Sequence, residues 1–231
     1  MSDSCRWLHE ILENSPVMRF PFDRSSLPLN GIYFFYEDGE MWGHSDQKFR
    51  IVRIGTHKDG NFRTRMADHY LLNERAMNFD CNKPAPKDRS IFRKNLGRAL
   101  LNREKDPYLK TWEIDFTTKL NRENYATLRD IDKEKLIEQQ VTRLLREKFS
   151  FRFMSLDVTI ARIGSAGLEA NLIGTRAGCN LCRPSADWLG LDSPNPKIRH
   201  SGLWLVQFLK SREISEQERH IIRTALNAGI G

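Results

Sequence analysis

Residues 30–37, NGIYFFYE, decide how the rest of the chain is read. The run is aromatic and β-branched, with Ile32, Phe34 and Tyr36 on one face of an extended strand and Tyr33 and Phe35 on the other. A loop at EDGE and Gly43 follows, and residues 49–55, FRIVRIG, make a second alternating run. Two such runs joined locally predict an antiparallel hairpin.

On either side of the hairpin the pattern turns helical. SCRWLHEILENS predicts a short N-terminal helix, and FRTRMADHYLLNERAM a helix after the turn HKDGN. Beyond a Pro-rich gap, SIFRKNLGRALLNRE predicts another. A further helix over about 133–148 has Ile131, Leu136, Ile137, Val141, Leu144 and Leu145 inward and Asp130 or Asp132 as N-cap. FSFRFMSLDV reads as a third strand. It feeds a helix over 160–173, apolar all round except for a narrow stripe of Arg162, Ser165 and Glu169. LWLVQFL reads as a strand or short helix, and residues 215–228 as a last helix. The expected fold class is α/β: a small three-stranded antiparallel sheet flanked by helices, with N- and C-terminal extensions. The expected division is an extension at 1–29, a main domain at 30–210 and a C-terminal helix at 211–231.

At 231 residues the chain is long enough to bury a core. No apolar stretch is long enough to span a bilayer, and the start MSDSCRWLHEILENS does not read as a signal peptide, so a cytoplasmic protein is expected. Lys and Arg total 37 against 30 Asp and Glu, a net charge of +7 that favours a polyanionic partner. The excess is locally concentrated. Lys87, Arg89, Arg93, Lys94, Arg98, Arg103, Lys105 and Lys110 face only Asp88, Glu104 and Asp106 over the same span, which suits phosphate neutralisation or, more blandly, a solvated mixed-charge face.

Four cysteines, Cys5, Cys81, Cys179 and Cys182, make no disulfide framework in a chain of this length. CNLC has the spacing of half a zinc site, but no second CxxC or HxxxH pair completes it. Free thiols are the expectation; a zinc knuckle completed by Cys81 or His200 is the alternative.

Three further features bear on chemistry. Tyr33 in GIY and Arg53 in RIG sit on the paired strands, where cross-strand packing is the ordinary use of such positions. Arg65 and His69 in RMADH are four apart on one helical face, a guanidinium fork suited to phosphate beside a group that shuttles protons. Glu169 is a solitary acid in an apolar helix; Mg²⁺ sites use only one or two protein carboxylates, and the bland reading is a solvated neighbour of Arg162.

The order of these pieces resembles the GIY-YIG nuclease superfamily: a GIY strand, an IG strand, a helix with Arg-x-x-x-His, a later helix with Glu, then a Pro-containing loop. The likeness covers roughly residues 30–205. RIVRIGTH, SIFRKNLG and WLG…SP…IRHSGLW resemble more narrowly a group of prokaryotic GIY-YIG-domain proteins. The resemblance implies Tyr33 beside the attacking water, Arg65 on the scissile phosphate, His69 assisting in protonation or phosphate contact, and Glu169 holding one Mg²⁺ or Mn²⁺. It implies phosphodiester hydrolysis in DNA (RNA not excluded), leaving a 5′-phosphate and a 3′-hydroxyl, by a monomer or homodimer.

Two positions depart from the pattern. Arg53 stands where the second motif carries tyrosine; arginine is no base at neutral pH, so it would contact phosphate, with His57 as a substitute proton acceptor. The asparagine expected after the glutamate aligns with Asp187, with Asn180 and Asn195 as other candidates. The helix from Ser90 to Arg103 would border the cleft, placing Arg89, Arg93, Lys94 and Arg98 on the nucleic-acid backbone. Trp188 and Trp204 are read as packing before base stacking. The alternative reading is a noncatalytic nucleic-acid-binding module that retains the fold.

Overall fold

The computed structural model describes residues 3–57, 59–156 and 167–228. Helices of nine residues or more are numbered α1 (Asp3–Leu12), α2 (Phe62–Tyr70), α3 (Ile91–Arg103), α4 (Ile131–Lys148), α5 (Leu168–Ala177) and α6 (Glu216–Ala228). The strands are β1 (Met18–Arg19), β2 (Gly31–Trp42), β3 (Ser45–Gly55) and β4 (Phe149–Ser155). They form one antiparallel sheet in the order β1-β4-β2-β3. The expected α/β class and antiparallel hairpin are present. The sheet gains a fourth strand because Met18 and Arg19 add to the edge of β4, a two-residue pairing too short to leave a periodic signature.

β2 lies between β3 and β4, and both of its faces are covered. Ile32, Phe34 and Tyr36 pack with Leu8 and Leu12 of α1, Leu172 of α5, and Ile222 and Leu226 of α6. Tyr33 and Phe35 pack with Phe62, Met66 and Tyr70 of α2, Phe92 of α3 and Val141 of α4. The result is three layers, helix–sheet–helix. Each fully buried side chain such as Phe34 or Phe35 contributes roughly 1.5–3 kcal/mol. Both terminal helices belong to this core: the same cluster contains Leu8 and Leu226.

Several local expectations change. EDGE is no loop; Glu37 to Glu40 continue β2, whose register slips past Tyr36, so the chain reverses only at Gly43 and His44. The helix after HKDGN stops at Tyr70, where Leu71 turns left-handed (φ 53°), and a separate 3₁₀ turn forms at Glu74–Met77. LWLVQFL is neither strand nor helix, although the Trp204 N–H donates to Val52 O at 2.7 Å. On α4, capped by Asp130 as expected, Leu136 is 60% exposed, while Glu134 and Glu138 are fully buried against Arg129 and Arg93. A hydropathy pattern marks the apolar members of the inward stripe and cannot show those ion pairs. Residues 160–166 of the expected Glu169 helix, and the end of the third-strand reading at 157–158, lie outside the described residues; the described helix begins at Leu168.

Candidate active site

The sheet places the first groups. Tyr33 of β2 pairs with Gly55 of β3, and a Cβ at residue 55 would lie 2.4 Å from the Tyr33 hydroxyl. Gly55 therefore does more than end a strand: it makes room for the tyrosine ring. Two residues earlier the ladder skips. Phe35 pairs with Arg53 and Tyr36 with Ile51, leaving Val52 as the extra residue of a β-bulge. The bulge turns Val52 and Arg53 to the same side of the sheet as Tyr33. Arg53 donates to Trp204 O and lies 4.9 Å from the centre of the Phe92 ring. Its buried Nε has no hydrogen-bond partner among the described residues.

α2 contributes the next pair. His69 is fully buried; its Nδ1 is 2.7 Å from Ser90 Oγ and its Nε2 is 3.2 Å from the Tyr33 hydroxyl. Ser90 also caps α3, accepting from the Arg93 N–H at 3.2 Å. Burial, and then the charges of Arg53, Arg65 and Arg93, hold the imidazole well below its ordinary range, so it is neutral. One turn earlier, Arg65 Nη1 donates to Arg89 O at 2.8 Å.

The acid comes from across the sheet. Glu169, in the first turn of α5, accepts from Thr56 twice: from its N–H at 3.1 Å and from its Oγ1 at 3.0 Å. Those bonds tie the carboxylate to the end of β3, immediately after Gly55. Tyr33, Arg53, Arg65, His69, Arg89 and Glu169 all line one cleft of about 540 Å³. Among the described residues Arg53, Arg65 and Arg89 have no ion-pair partner, whereas Asp88 on the cleft wall is paired with Lys87. The cleft is positive with one anchored acid in it, an arrangement that attracts a phosphate and suits a hard divalent cation. Among the described lining residues the only nitrogen ligand type is His69, already engaged by Ser90 and Tyr33, so the donors fit Mg²⁺ or Mn²⁺ rather than a softer metal.

Other expected residues lie elsewhere. His57 is buried with Nε2 on the backbone of Gly31, 3.0 Å from its N and 3.1 Å from its O, and does not line the cleft. Arg93 is wholly buried, its guanidinium on the Glu138 carboxylate at 2.5 Å. Lys94 donates to Glu113 O at 2.8 Å, and Arg98 is engaged by Glu113 and Asn95. These three are structural cations, and only Arg89 of the four expected backbone contacts faces the cleft. The carboxylate partners of Arg98 and Arg93 lie 15 and 45 residues away in sequence, and Lys94 is held by backbone carbonyls, so a local charge count cannot tell these cations from a free patch. Asp187 and Asn180 are exposed away from the cleft, and Asn195 caps a short helix. Two amides line the cleft, Asn95 of α3 and Gln207, the latter in an irregular segment that the sequence reads as strand or short helix. Thr56 and Ser90 were also missed; each acts through a partner that is distant in sequence. Trp188 and Trp204 are packing residues, edge to face at 5.0 Å, and both donate to Glu37 Oε2 at 2.9 Å.

A family model described as a GIY-YIG domain matches residues 7–224, and the chain belongs to that family, within the GIY-YIG nuclease superfamily. The family is one of nuclease-type domains acting on nucleic acid. No curated protein and no solved structure matches the chain.

Proposed function

We propose that this cleft hydrolyses phosphodiester bonds in DNA with Mg²⁺ or Mn²⁺ held at Glu169, leaving a 5′-phosphate and a 3′-hydroxyl. The observation that carries the reading is the convergence of Tyr33, His69, Arg53, Arg65, Arg89 and Glu169 on one cleft. Arg65 and Arg89, on its rim, take the substrate phosphates. Arg53 lines the same cleft and adds a third guanidinium, in the place of a second tyrosine. Tyr33 orients the attacking water. With Nδ1–H on Ser90, Nε2 of His69 accepts the Tyr33 proton as the tyrosine oxygen takes one from water. The negative charge of the bound phosphodiester offsets the three guanidiniums and raises the basicity of His69 when it is needed. The new P–O bond forms as the bond to the 3′-oxygen breaks; that oxygen takes its proton from a solvent water, and His69 returns the proton it accepted to solvent. A divalent ion at Glu169 would polarise the phosphate and stabilise the leaving oxygen.

The test is plasmid nicking. Wild-type protein converts supercoiled plasmid to open circles with Mg²⁺ and not with EDTA. Glu169→Ala and Arg65→Ala each lower the rate by at least about 100-fold while keeping the wild-type circular dichroism spectrum. If the wild type retards plasmid on a gel and leaves it intact with both Mg²⁺ and Mn²⁺, the chain is a binding module instead.

A further inference from the structure

We infer that Cys5, His44, Cys179 and Cys182 form a structural zinc site, separate from the cleft. Their donor atoms lie within 4.8 Å of one another. Tetrahedral zinc, with Zn–S near 2.3 Å and Zn–N near 2.0–2.1 Å, sets sulfur–sulfur edges of about 3.8 Å and sulfur–nitrogen edges of about 3.6 Å. Here Cys5 Sγ is 3.8 Å from Cys182 Sγ, and His44 Nε2 is 3.4 Å from Cys179 Sγ. A disulfide needs about 2.05 Å, so these thiols are gathered without being bonded. CNLC is thus half of a site, as its spacing suggests, but its completion comes from α1 and from the β2–β3 turn. Cys81 and His200, the partners expected from the sequence, are exposed and outside the cluster.

The surroundings are built around the same four residues. A Cβ at Gly43 would lie 1.8 Å from Leu181 O, so only glycine lets the hairpin turn press onto the CNLC loop and bring His44 to Cys179. His9, although its Nδ1 is 3.7 Å from Cys5 Sγ, is not a fifth ligand. That nitrogen donates to Cys5 O at 2.9 Å, and Nε2 accepts from the Ile51 N–H at 3.1 Å. The ring stacks on Trp42 at 5.0 Å and helps to keep the cluster dry. Behind the cluster, the fully buried Arg176 binds Ile51 O and Cys182 O and has no ion-pair partner among the described residues. Three thiolates, one neutral imidazole and Zn²⁺ carry a net charge of −1, the counter-charge that Arg176 lacks. With four protein ligands the site is closed, so its role is structural: it pins α1 and the hairpin turn to the end of α5, the helix that presents Glu169.

Metal analysis of the full chain, purified without chelator, tests this. About one zinc per chain is expected, released by a mercurial thiol reagent, and Co²⁺ exchange should give tetrahedral d–d bands with thiolate charge transfer. Cys81→Ser and Glu169→Ala should keep the zinc, so the result stands apart from the fate of the nuclease reading. Cys182→Ser and His44→Ala should lower zinc content at least about tenfold in whatever soluble protein is recovered. The proposal is overturned if wild-type protein offered equimolar Zn²⁺ holds less than about 0.1 per chain while all its thiols react freely. It is also overturned if the purified chain carries a disulfide among these cysteines, or if Cys81→Ser removes the metal.

Discussion

Gly55 and Tyr33 show how much one position rests on another. Alanine at 55 would push a methyl into the tyrosine ring, and overpacking of that kind costs about 1–3 kcal/mol. Gly55→Ala should therefore lower Tm and lose plasmid nicking together. Tyr33→Phe keeps the ring and loses only the hydroxyl that meets His69. Its Tm should stay near wild type while the nicking rate falls by about 100-fold or more; a rate within a factor of about three would remove Tyr33 from the chemistry. Both residues stand in the sequence as GIY and RIG, but the reason for the glycine does not, because it depends on which residue lies opposite across the hairpin.

α3 looks like a phosphate-binding helix in the sequence and works as a packing helix in the structure. Arg93 and Lys94 face inward, and Arg89 just before its cap is the group that reaches the cleft. Arg93→Ala would strand Glu138 as a buried, unpaired acid, a loss of about 3–5 kcal/mol in denaturant unfolding. Arg89→Ala should leave stability unchanged and weaken DNA binding evenly across sequences, with the salt slope reduced by about one. A reversal of these two phenotypes would restore the sequence-based assignment. α5 is the opposite case: its acid is conspicuous in the sequence as the single carboxylate of the apolar run, and the fold ties that acid to the end of β3.

Across the molecule, Glu37 links the central strand to the two tryptophans of the C-terminal part. Burial pushes its carboxyl from the ordinary 4.5 up to about 7, even though two indole N–H groups pull the other way. The folded value is the raised one, so the contribution to stability is complete below pH 4.5 and is lost as pH rises through 7. Glu37→Gln keeps an oxygen for both indoles and removes the titration. The stability of wild type relative to this variant should fall by roughly 2–3 kcal/mol between pH 4.5 and pH 8, measured by urea unfolding. Parallel pH profiles would show that the acid is not held neutral.

The strand pair, the α/β class, the main helices and the solitary acid are all legible in the residues alone. Each of these is written in neighbouring residues, as alternation, helical period or a charge in an apolar run. Which cations are free and which are paired, where the amides of the cleft come from, and what completes CNLC depend on three-dimensional packing. Glu138 meets Arg93 across 45 residues, and Cys5 meets Cys182 across 177. Electrostatic pairing and metal-ligand geometry act through space at a few ångströms, and no local pattern of residues encodes which distant partner the fold will bring within that reach.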